Sequence, residues 1–225
     1  MKKFFVGVVL SVLLIANSAL AGTFSQPVKI GEFYWDLNGG FFIKDAAENN
    51  GSVYTINRHN IQTYGRGTAR FGDSNDSLYV HYNGYVKPFT GYFGAKNASN
   101  TIEIGLGETS ATIYAIATNG LGNLYLIKGG GMTFLENCWF ILLGRKNDGT
   151  FVKYFDTEDI HKRYFPQRFG YWFNDIKTQG DAIVVCYRRN LDGREMSNYS
   201  ADEYGEFRFK WDERAQWFSV EQVIY

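Results

Sequence analysis

The chain of 225 residues contains few of the residues from which recognisable active sites are built. Its three histidines, His59, His81 and His161, lack the short spacings that zinc ligands have in sequence. The Gly-x-Ser-x-Gly elbow of many serine hydrolases is missing, and so is the glycine fingerprint of dinucleotide-binding domains. The sequence therefore predicts no catalytic residue, no metal ligand and no cofactor.

An excess of charge of either sign is also missing. Lysine and arginine together number 23, and so do aspartate and glutamate. A nucleic-acid-binding protein needs a basic surface that displaces counterions from phosphates, so we expect no nucleic acid as a partner. Proline is rare, with three residues, and no Pro/Ser-rich linker or block of charge divides the chain. We therefore expect a single domain over residues 22–225.

The first 21 residues have the pattern of a cleaved export signal. Lys2 and Lys3 precede an apolar run from Phe4 to Ile15, and Ala19-Leu20-Ala21 supplies the small-x-small pattern that signal peptidase reads. An uncleaved membrane anchor is the alternative, but the run is shorter than the roughly 20 residues that cross a bilayer. We expect residues 1–21 to be a signal peptide. The mature chain then has no transmembrane helix, and the protein is secreted, either to the periplasm or outside the cell.

Aromatic residues are abundant, with 19 Phe, 16 Tyr and 5 Trp beside 25 Gly. Aromatic side chains suit the half-buried surface of a strand, and glycine supplies the positive φ angles of tight turns. This composition predicts an all-β fold. The many rings have two explanations, packing in a core or a stacking platform for sugars and other flat ligands, and composition does not separate them.

Turn signals between apolar segments indicate how the strands connect. Asn38-Gly39 separates Val28–Leu37 from Phe41–Ile43, and such a pair is typical of a β-hairpin. In Glu206–Trp211, rings alternate with charged residues, as in a strand with one buried face. We expect a mostly antiparallel sandwich or barrel-like domain built from hairpins over residues 22–225.

A sequence echo supports a different β architecture. The turns Asp148-Gly149 and Asp192-Gly193 each follow an apolar strand that ends in basic residues, and they lie about 44 residues apart. This period is in the range of propeller blades, but no third copy is present. A small β-propeller is therefore the alternative fold.

One segment is typical of a helix rather than a strand. Asp156 can cap a helix start, Glu158 and Asp159 follow in the first turn, and basic residues come before Pro166, which stops a helix. We expect one short helix near residues 157–164. Capping and the helix dipole explain these charges, which weakens any catalytic role for them.

Cys138 and Cys186 are the only cysteines, and both lie in segments with strand character. An even number of cysteines in an oxidising compartment permits one disulfide. The alternative is two buried free thiols, because strand geometry can hold the sulfur atoms apart. The sequence leaves both states open.

The functional hypothesis is a non-catalytic binding or structural role at the cell envelope, with a carbohydrate or an envelope protein as the partner. Tyrosine and tryptophan offer large contact areas at low entropic cost. Trp211 and Trp217, which we expect to pair across a turn, are the candidate ligand face, and burial of both rings in the core is the alternative. Whether the protein is an enzyme stays open, because a secreted hydrolase such as a carbohydrate-active enzyme needs only two facing carboxylates. A small outer-membrane β-barrel is a third reading.

Overall fold

The computed structural model describes residues 24–35, 41–51, 66–73, 75–83, 90–96, 99–106, 110–130, 139–165, 171–191 and 201–225. The predicted signal peptide, residues 1–21, lies outside these ranges. So does Cys138, one half of the predicted cysteine pair.

The described chain forms fifteen β-strands and one short helix. In chain order these are β1 (Val28–Trp35), β2 (Phe41–Lys44), β3 (Glu48–Gly51), β4 (Arg66–Gly72), β5 (Ser77–Asn83), β6 (Thr90–Gly94), β7 (Ile102–Gly105), β8 (Ser110–Ala117), β9 (Asn123–Gly130), β10 (Trp139–Arg145), β11 (Phe151–Asp156), α1 (Thr157–Tyr164), β12 (Tyr171–Gln179), β13 (Ala182–Arg189), β14 (Glu203–Asp212) and β15 (Trp217–Ile224). The all-β prediction is confirmed.

The strands pair into three antiparallel sheets. The central sheet has six strands in the order β11-β10-β9-β8-β1-β2. The four-stranded sheet runs β12-β13-β14-β15, and the five-stranded sheet runs β3-β4-β5-β6-β7. Most neighbours in space are also neighbours in sequence, as expected for a fold built from hairpins. The pairing of β1 with β2 confirms the hairpin predicted around Asn38-Gly39, although residues 36–40 themselves lie outside the described ranges.

The middle of the central sheet is buried on both faces. In β9, Leu124 and Leu126 point to one face, and Tyr125 and Ile127 point to the other, with none of the four more than 1% exposed. Side chains alternate between faces along a strand, so a continuous apolar run leaves no face for water. The run from Phe140 to Leu143 in the neighbouring strand β10 is buried in the same way.

Two hydrophobic cores result from this arrangement. Core one fills the space between the central sheet and the four-stranded sheet, and core two fills the space between the central sheet and the five-stranded sheet. The three sheets are therefore layers of a sandwich, which confirms the sandwich prediction. A propeller arranges its sheets radially around a channel, so the propeller alternative does not describe this stacking.

Aromatic rings pack against one another through core one. Phe155 and Phe209 stack with centroids 3.7 Å apart and planes 12° apart. Phe140 meets Phe173 edge to face at 5.0 Å. Such pairs stabilise a core beyond the area they bury, by about 0.5–1.5 kcal/mol each. Core packing therefore accounts for many of the rings in the composition.

Strand β14 has the two faces that its alternating sequence predicts. Phe207 and Phe209 are fully buried in core one, and Arg208 and Lys210 lie on the opposite face. Glu206 differs from that pattern, because it lies on the charged face and is nevertheless only 2% exposed. Its carboxylate accepts a hydrogen bond from Nε of Arg208 at 2.5 Å, which compensates the buried charge.

The predicted helix is confirmed with the predicted bounds. Helix α1 follows β11 directly and covers Thr157–Tyr164, with Ile160 and His161 buried beneath it. Among the described residues, no helix has the length and apolar character needed to cross a membrane. At eight residues, α1 is short enough to depend on its caps and on its packing against core one.

Candidate functional site

A cleft of about 460 Å³ opens where core one reaches the surface. It lies between β11, an edge strand of the central sheet, and β15, an edge strand of the four-stranded sheet, with α1 along one side. We name it the Trp217 cleft. Rings and charged groups line it together, among them Tyr154, Phe218, Trp217, Lys153, Asp159 and Arg163.

Helix α1 is held at both ends beside this cleft. At its start, the Asp156 carboxylate accepts the backbone N–H of Asp159 at 3.0 Å, and the Asp159 carboxylate accepts the backbone N–H of Asp156 at 3.0 Å. At its end, the Tyr164 hydroxyl donates to the Val220 carbonyl of β15 at 3.4 Å. Since α1 continues directly from β11, it connects the two edge strands. The capping box and this contact therefore fix one wall of the cleft.

A cluster of rings forms the floor of the cleft. Tyr154 is 2% exposed, and its ring contacts Trp211 at 5.5 Å, Trp217 at 5.3 Å and Phe218 at 5.1 Å, in each case edge to face. Burial raises the pKa of the Tyr154 hydroxyl to about 12, so the group is neutral at physiological pH. The floor is thus apolar, uncharged and fixed by ring contacts on several sides.

The two tryptophans of the candidate ligand face occupy different environments. Trp217 is 38% exposed and lines the cleft, whereas Trp211 is half-buried against core one. The expected pairing of the two indoles is wrong by one position, because the register sets Trp211 opposite Phe218 and Trp217 opposite Asp212. Both rings instead contact Tyr154. Trp217 is the ring that a ligand can reach. Trp211 packs against Tyr154, the buried ring on which Trp217 rests.

A positive charge already lies against the exposed indole. The ammonium group of Lys146 is 5.4 Å from the ring centroid of Trp217. The negative face of an indole attracts cations and groups of partial positive charge. The Trp217 indole is therefore electrostatically suited to the C–H groups of a sugar ring as well as to an ammonium group.

Most of the acidic charge at the cleft is engaged within the protein. The Lys153 ammonium pairs with the Asp156 carboxylate, and Asp159 belongs to the capping box. Burial opposes ionisation of Asp156, but the hydrogen bonds from Lys153 and from the Asp159 backbone outweigh it, so the pKa of Asp156 lies below its usual range. These two carboxylates hold α1 in place.

Arg163 is the exception among the charged residues of the cleft. It lies in the last turn of α1, is exposed, and has its guanidinium 5.3 Å from the ring centroid of Tyr164. Within the part of the chain that the structure describes, no carboxylate forms an ion pair with Arg163. The cleft is thus lined by both a cationic fork and an exposed indole.

A second, smaller cleft of about 260 Å³ lies at the other side of core one. Gln26, Tyr114, Lys128 and Asp175 are among its lining residues. Two of its polar groups are engaged within the protein, since the Gln26 amide donates to the Thr178 carbonyl at 2.9 Å and Lys128 donates to the Asn174 carbonyl of β12. It offers a ligand fewer rings than the Trp217 cleft, because Tyr114 is the one aromatic ring among its described lining residues.

A ring-bearing surface that the sequence analysis did not single out covers the outer face of the five-stranded sheet. Tyr79 and Tyr92 are direct cross-strand neighbours, and the His81 ring meets Tyr92 edge on at 5.0 Å. His81 Nδ1 is also 3.1 Å from the Thr68 hydroxyl. We call this the outer tyrosine surface. The alternation of rings and aliphatic residues in β5 was the signal for it, but alternation alone does not tell an exposed face from a buried one.

Cys186 lies on β13, on the face opposite core one, because its neighbours Val185 and Tyr187 belong to that core. Burial raises the pKa of its thiol above the usual value. The predicted partner Cys138 lies outside the described residues, so the disulfide stays a prediction. In the described ranges, no group of three or more His, Cys, Asp and Glu side chains converges as metal ligands do.

Comparison of the chain with protein-family models, with curated proteins and with solved structures found no match. The function must therefore be argued from the cleft and its residues.

Proposed function

We propose that this protein is a non-catalytic binding module of the cell envelope and that the Trp217 cleft holds a carbohydrate. The observation that carries the proposal is an exposed indole at the mouth of a ring-floored cleft. An aromatic face stacks on the C–H face of a sugar, and nearby polar groups hydrogen-bond to its hydroxyls. The volume of about 460 Å³ falls within the range of small-ligand sites.

The indole is held before any ligand arrives. Trp217 contacts the buried ring of Tyr154 at 5.3 Å, and Tyr154 is in turn held by Trp211 and Phe218. A ring fixed by its neighbours loses little conformational entropy on binding, which favours affinity. The same support is typical of residues that dominate the binding energy of a site.

The acidic groups at the cleft favour binding over hydrolysis. A glycoside hydrolase needs two carboxylates about 5 to 10 Å apart, one on each side of the scissile bond. Asp156 and Asp159 belong to the same helix cap. Their carboxylates accept hydrogen bonds from backbone N–H groups of the cap and, for Asp156, from the Lys153 ammonium. Carboxylates used in this way are poorly placed to serve as an acid and a nucleophile on two sides of a sugar.

Export is part of the proposal and has its own test. The first 21 residues support secretion, and cell fractionation of the protein expressed from the full chain will locate it. We expect recovery in the periplasm or the medium, with the N-terminus at residue 22. Recovery in the outer membrane with heat-modifiable gel mobility contradicts this and favours the alternative of a small outer-membrane β-barrel.

Binding is tested by a pull-down on cell-wall material and a panel of polysaccharides, followed by calorimetric titration with the captured glycan. Trp217→Ala is expected to weaken binding by about 30-fold, as loss of a central aromatic contact typically costs about 2 kcal/mol. Tyr92→Ala is the matched control, because it removes a ring from the outer tyrosine surface and is expected to change affinity less than twofold. If Tyr92→Ala weakens binding and Trp217→Ala does not, the binding site lies on the outer tyrosine surface.

A hydrolysis assay on the captured glycan completes the test. Unchanged glycan after prolonged incubation agrees with a binding module. Turnover that disappears on replacing a single Asp or Glu contradicts the non-catalytic role and identifies a hydrolase.

A further inference from the structure

We infer that the Trp217 cleft selects acidic carbohydrates, with Arg163 binding the carboxylate of a uronic acid while Trp217 stacks on a sugar ring. The inference rests on the proposed function and adds the ligand class to it. What carries it is that one cleft is lined both by an exposed indole and by a guanidinium that forms no ion pair with any described carboxylate.

Among the residues that the structure describes, no carboxylate forms an ion pair with Arg163. The other cation beside it in the cleft, Lys153, pairs with Asp156. The Asp159 carboxylate is turned toward the backbone N–H at the helix start. The Arg163 guanidinium lies 5.3 Å from the ring centroid of Tyr164. An anionic ligand therefore meets a cation that no described carboxylate pairs with.

The chemistry of the guanidinium favours a carboxylate over a hydroxyl. Its planar fork donates two parallel hydrogen bonds to the two oxygens of a carboxylate, a geometry that a sugar hydroxyl does not match. The guanidinium lies over the ring of Tyr164, 5.3 Å from its centroid, within cation–π range. Lys146, whose ammonium group lies 5.4 Å from the ring centroid of Trp217, adds a second positive charge next to that ring.

Charge at the cleft distinguishes the class of sugar. A neutral glycan can stack on Trp217 but leaves Arg163 unpaired, whereas a uronate satisfies both groups. Hydrogen bonds between charged groups are stronger than those between neutral groups, and exposure to water reduces the difference. We therefore expect about a tenfold preference for the acidic form of an otherwise identical ligand.

The test compares oligogalacturonates with their methyl esters, which have the same sugar rings and no charge. Calorimetric titration of the protein expressed from the full chain is expected to show about tenfold tighter binding of the acid. The acid should also lose affinity as NaCl is raised from about 0.05 M to about 0.5 M, because salt screens the pair, and the ester should not.

Variants assign the preference to Arg163. Arg163→Gln is expected to remove the tenfold preference and to leave affinity for the ester unchanged, and Arg163→Lys should keep only part of it because the fork is lost. Lys162→Gln is the matched control on the same helix, since Lys162 is exposed and lies outside the cleft lining. It should change affinity for either ligand less than twofold.

The outcomes separate this inference from the proposed function. Equal binding of acid and ester by the unmodified protein overturns the preference and leaves a neutral-sugar module standing. A parallel loss of both ligands in Arg163→Gln also overturns it, because Arg163 would then act on the cleft as a whole. If neither the acid nor the ester binds, the inference is overturned. If no glycan of the panel binds, the proposed function is overturned as well. Oligoglutamate that binds as tightly as oligogalacturonate shows that charge alone decides, and contradicts a sugar site.

Discussion

Core one and core two share the central sheet and differ in what fills them. Aromatic rings make up most of the buried residues in core one, whereas aliphatic side chains predominate in core two. In core one, rings meet rings, as in the stack of Phe155 on Phe209. In core two, a ring can meet bare backbone, as where Phe71 lies over Gly31.

This difference shows how one sheet supports two kinds of surface. The ring cluster of core one continues outward through Tyr154 to Trp217, so its rim is a cleft with an exposed indole. In core two, the Phe71 ring packs directly against the backbone of Gly31, since a Cβ on Gly31 would lie 2.3 Å from a ring carbon of Phe71. In core one, large rings at an open edge of the sandwich form a surface that a ligand can reach. In core two, a glycine packed directly under a ring leaves no such space. The comparison predicts different responses to substitution on the two sides.

The largest effect is expected for Phe209→Ala in core one. Phe209 is fully buried and stacks on Phe155, so its loss removes apolar burial and leaves a cavity. We expect the free energy of unfolding to fall by about 4 kcal/mol. Urea denaturation measures it, with the exposed Ser219→Ala as the control, expected within about 0.5 kcal/mol of the unmodified protein. A loss below about 1 kcal/mol would mean that the ring stack does not hold core one together.

A second prediction separates the interior of core one from its rim. Trp211 is half-buried against the core, and Trp217 is 38% exposed. We expect Trp211→Ala to lower the free energy of unfolding by about 3 kcal/mol and Trp217→Ala by about half as much, because part of the Trp217 ring is already in water. Thermal and urea unfolding of the two variants side by side give the answer. Equal losses contradict the assignment of Trp217 to ligand binding and of Trp211 to support.

The parts of this fold that the sequence predicts are local. The alternation of rings and charges in Glu206–Trp211 predicts one buried face because side chains alternate along a strand. The capping pattern at Asp156 predicts helix α1 because cap and dipole act within one turn. The Asn38-Gly39 signal predicts a hairpin because the turn determines which strands pair. Each of these depends on residues close in sequence.

The stacking of the sheets and the cleft depend on contacts that no local pattern contains. Val28 pairs with Ala115, and α1 reaches β15 through Tyr164 and Val220. The Trp217 cleft exists only because β11 and β15 are edge strands of different sheets that face each other. The sequence singled out Trp217 as a ring beside a turn, but the presence of Arg163 in the lining of the same cleft follows only from the packing of α1.

In core two, a smaller effect tests the close approach. Gly31→Ala is expected to lower the free energy of unfolding by about 2 kcal/mol, because the new Cβ overlaps the Phe71 ring. Gly105→Ala is the matched control in the five-stranded sheet, since no atom lies within 4 Å of the Cβ it would add. Adding Phe71→Leu to Gly31→Ala should cost less than the sum of the two single changes. Additive losses would show that the ring and the glycine are not in conflict.

The smallest expected effect concerns the charge at the cap of α1, a device on the rim of core one. The pKa of Asp156 is lowered in the folded protein, so its charge stabilises the fold above the unfolded pKa of about 3.9. That stabilisation is lost as the pH falls below this value through the folded pKa. Asp156→Asn keeps a side-chain oxygen as the cap acceptor and removes the charge. We expect it to be about 1 kcal/mol less stable at pH 6 and the difference to shrink between about pH 4 and pH 2. Urea unfolding at several pH values measures this difference in stability. If the difference does not vary with pH, hydrogen-bond geometry causes it, and the charge of Asp156 does not help to hold the cleft wall.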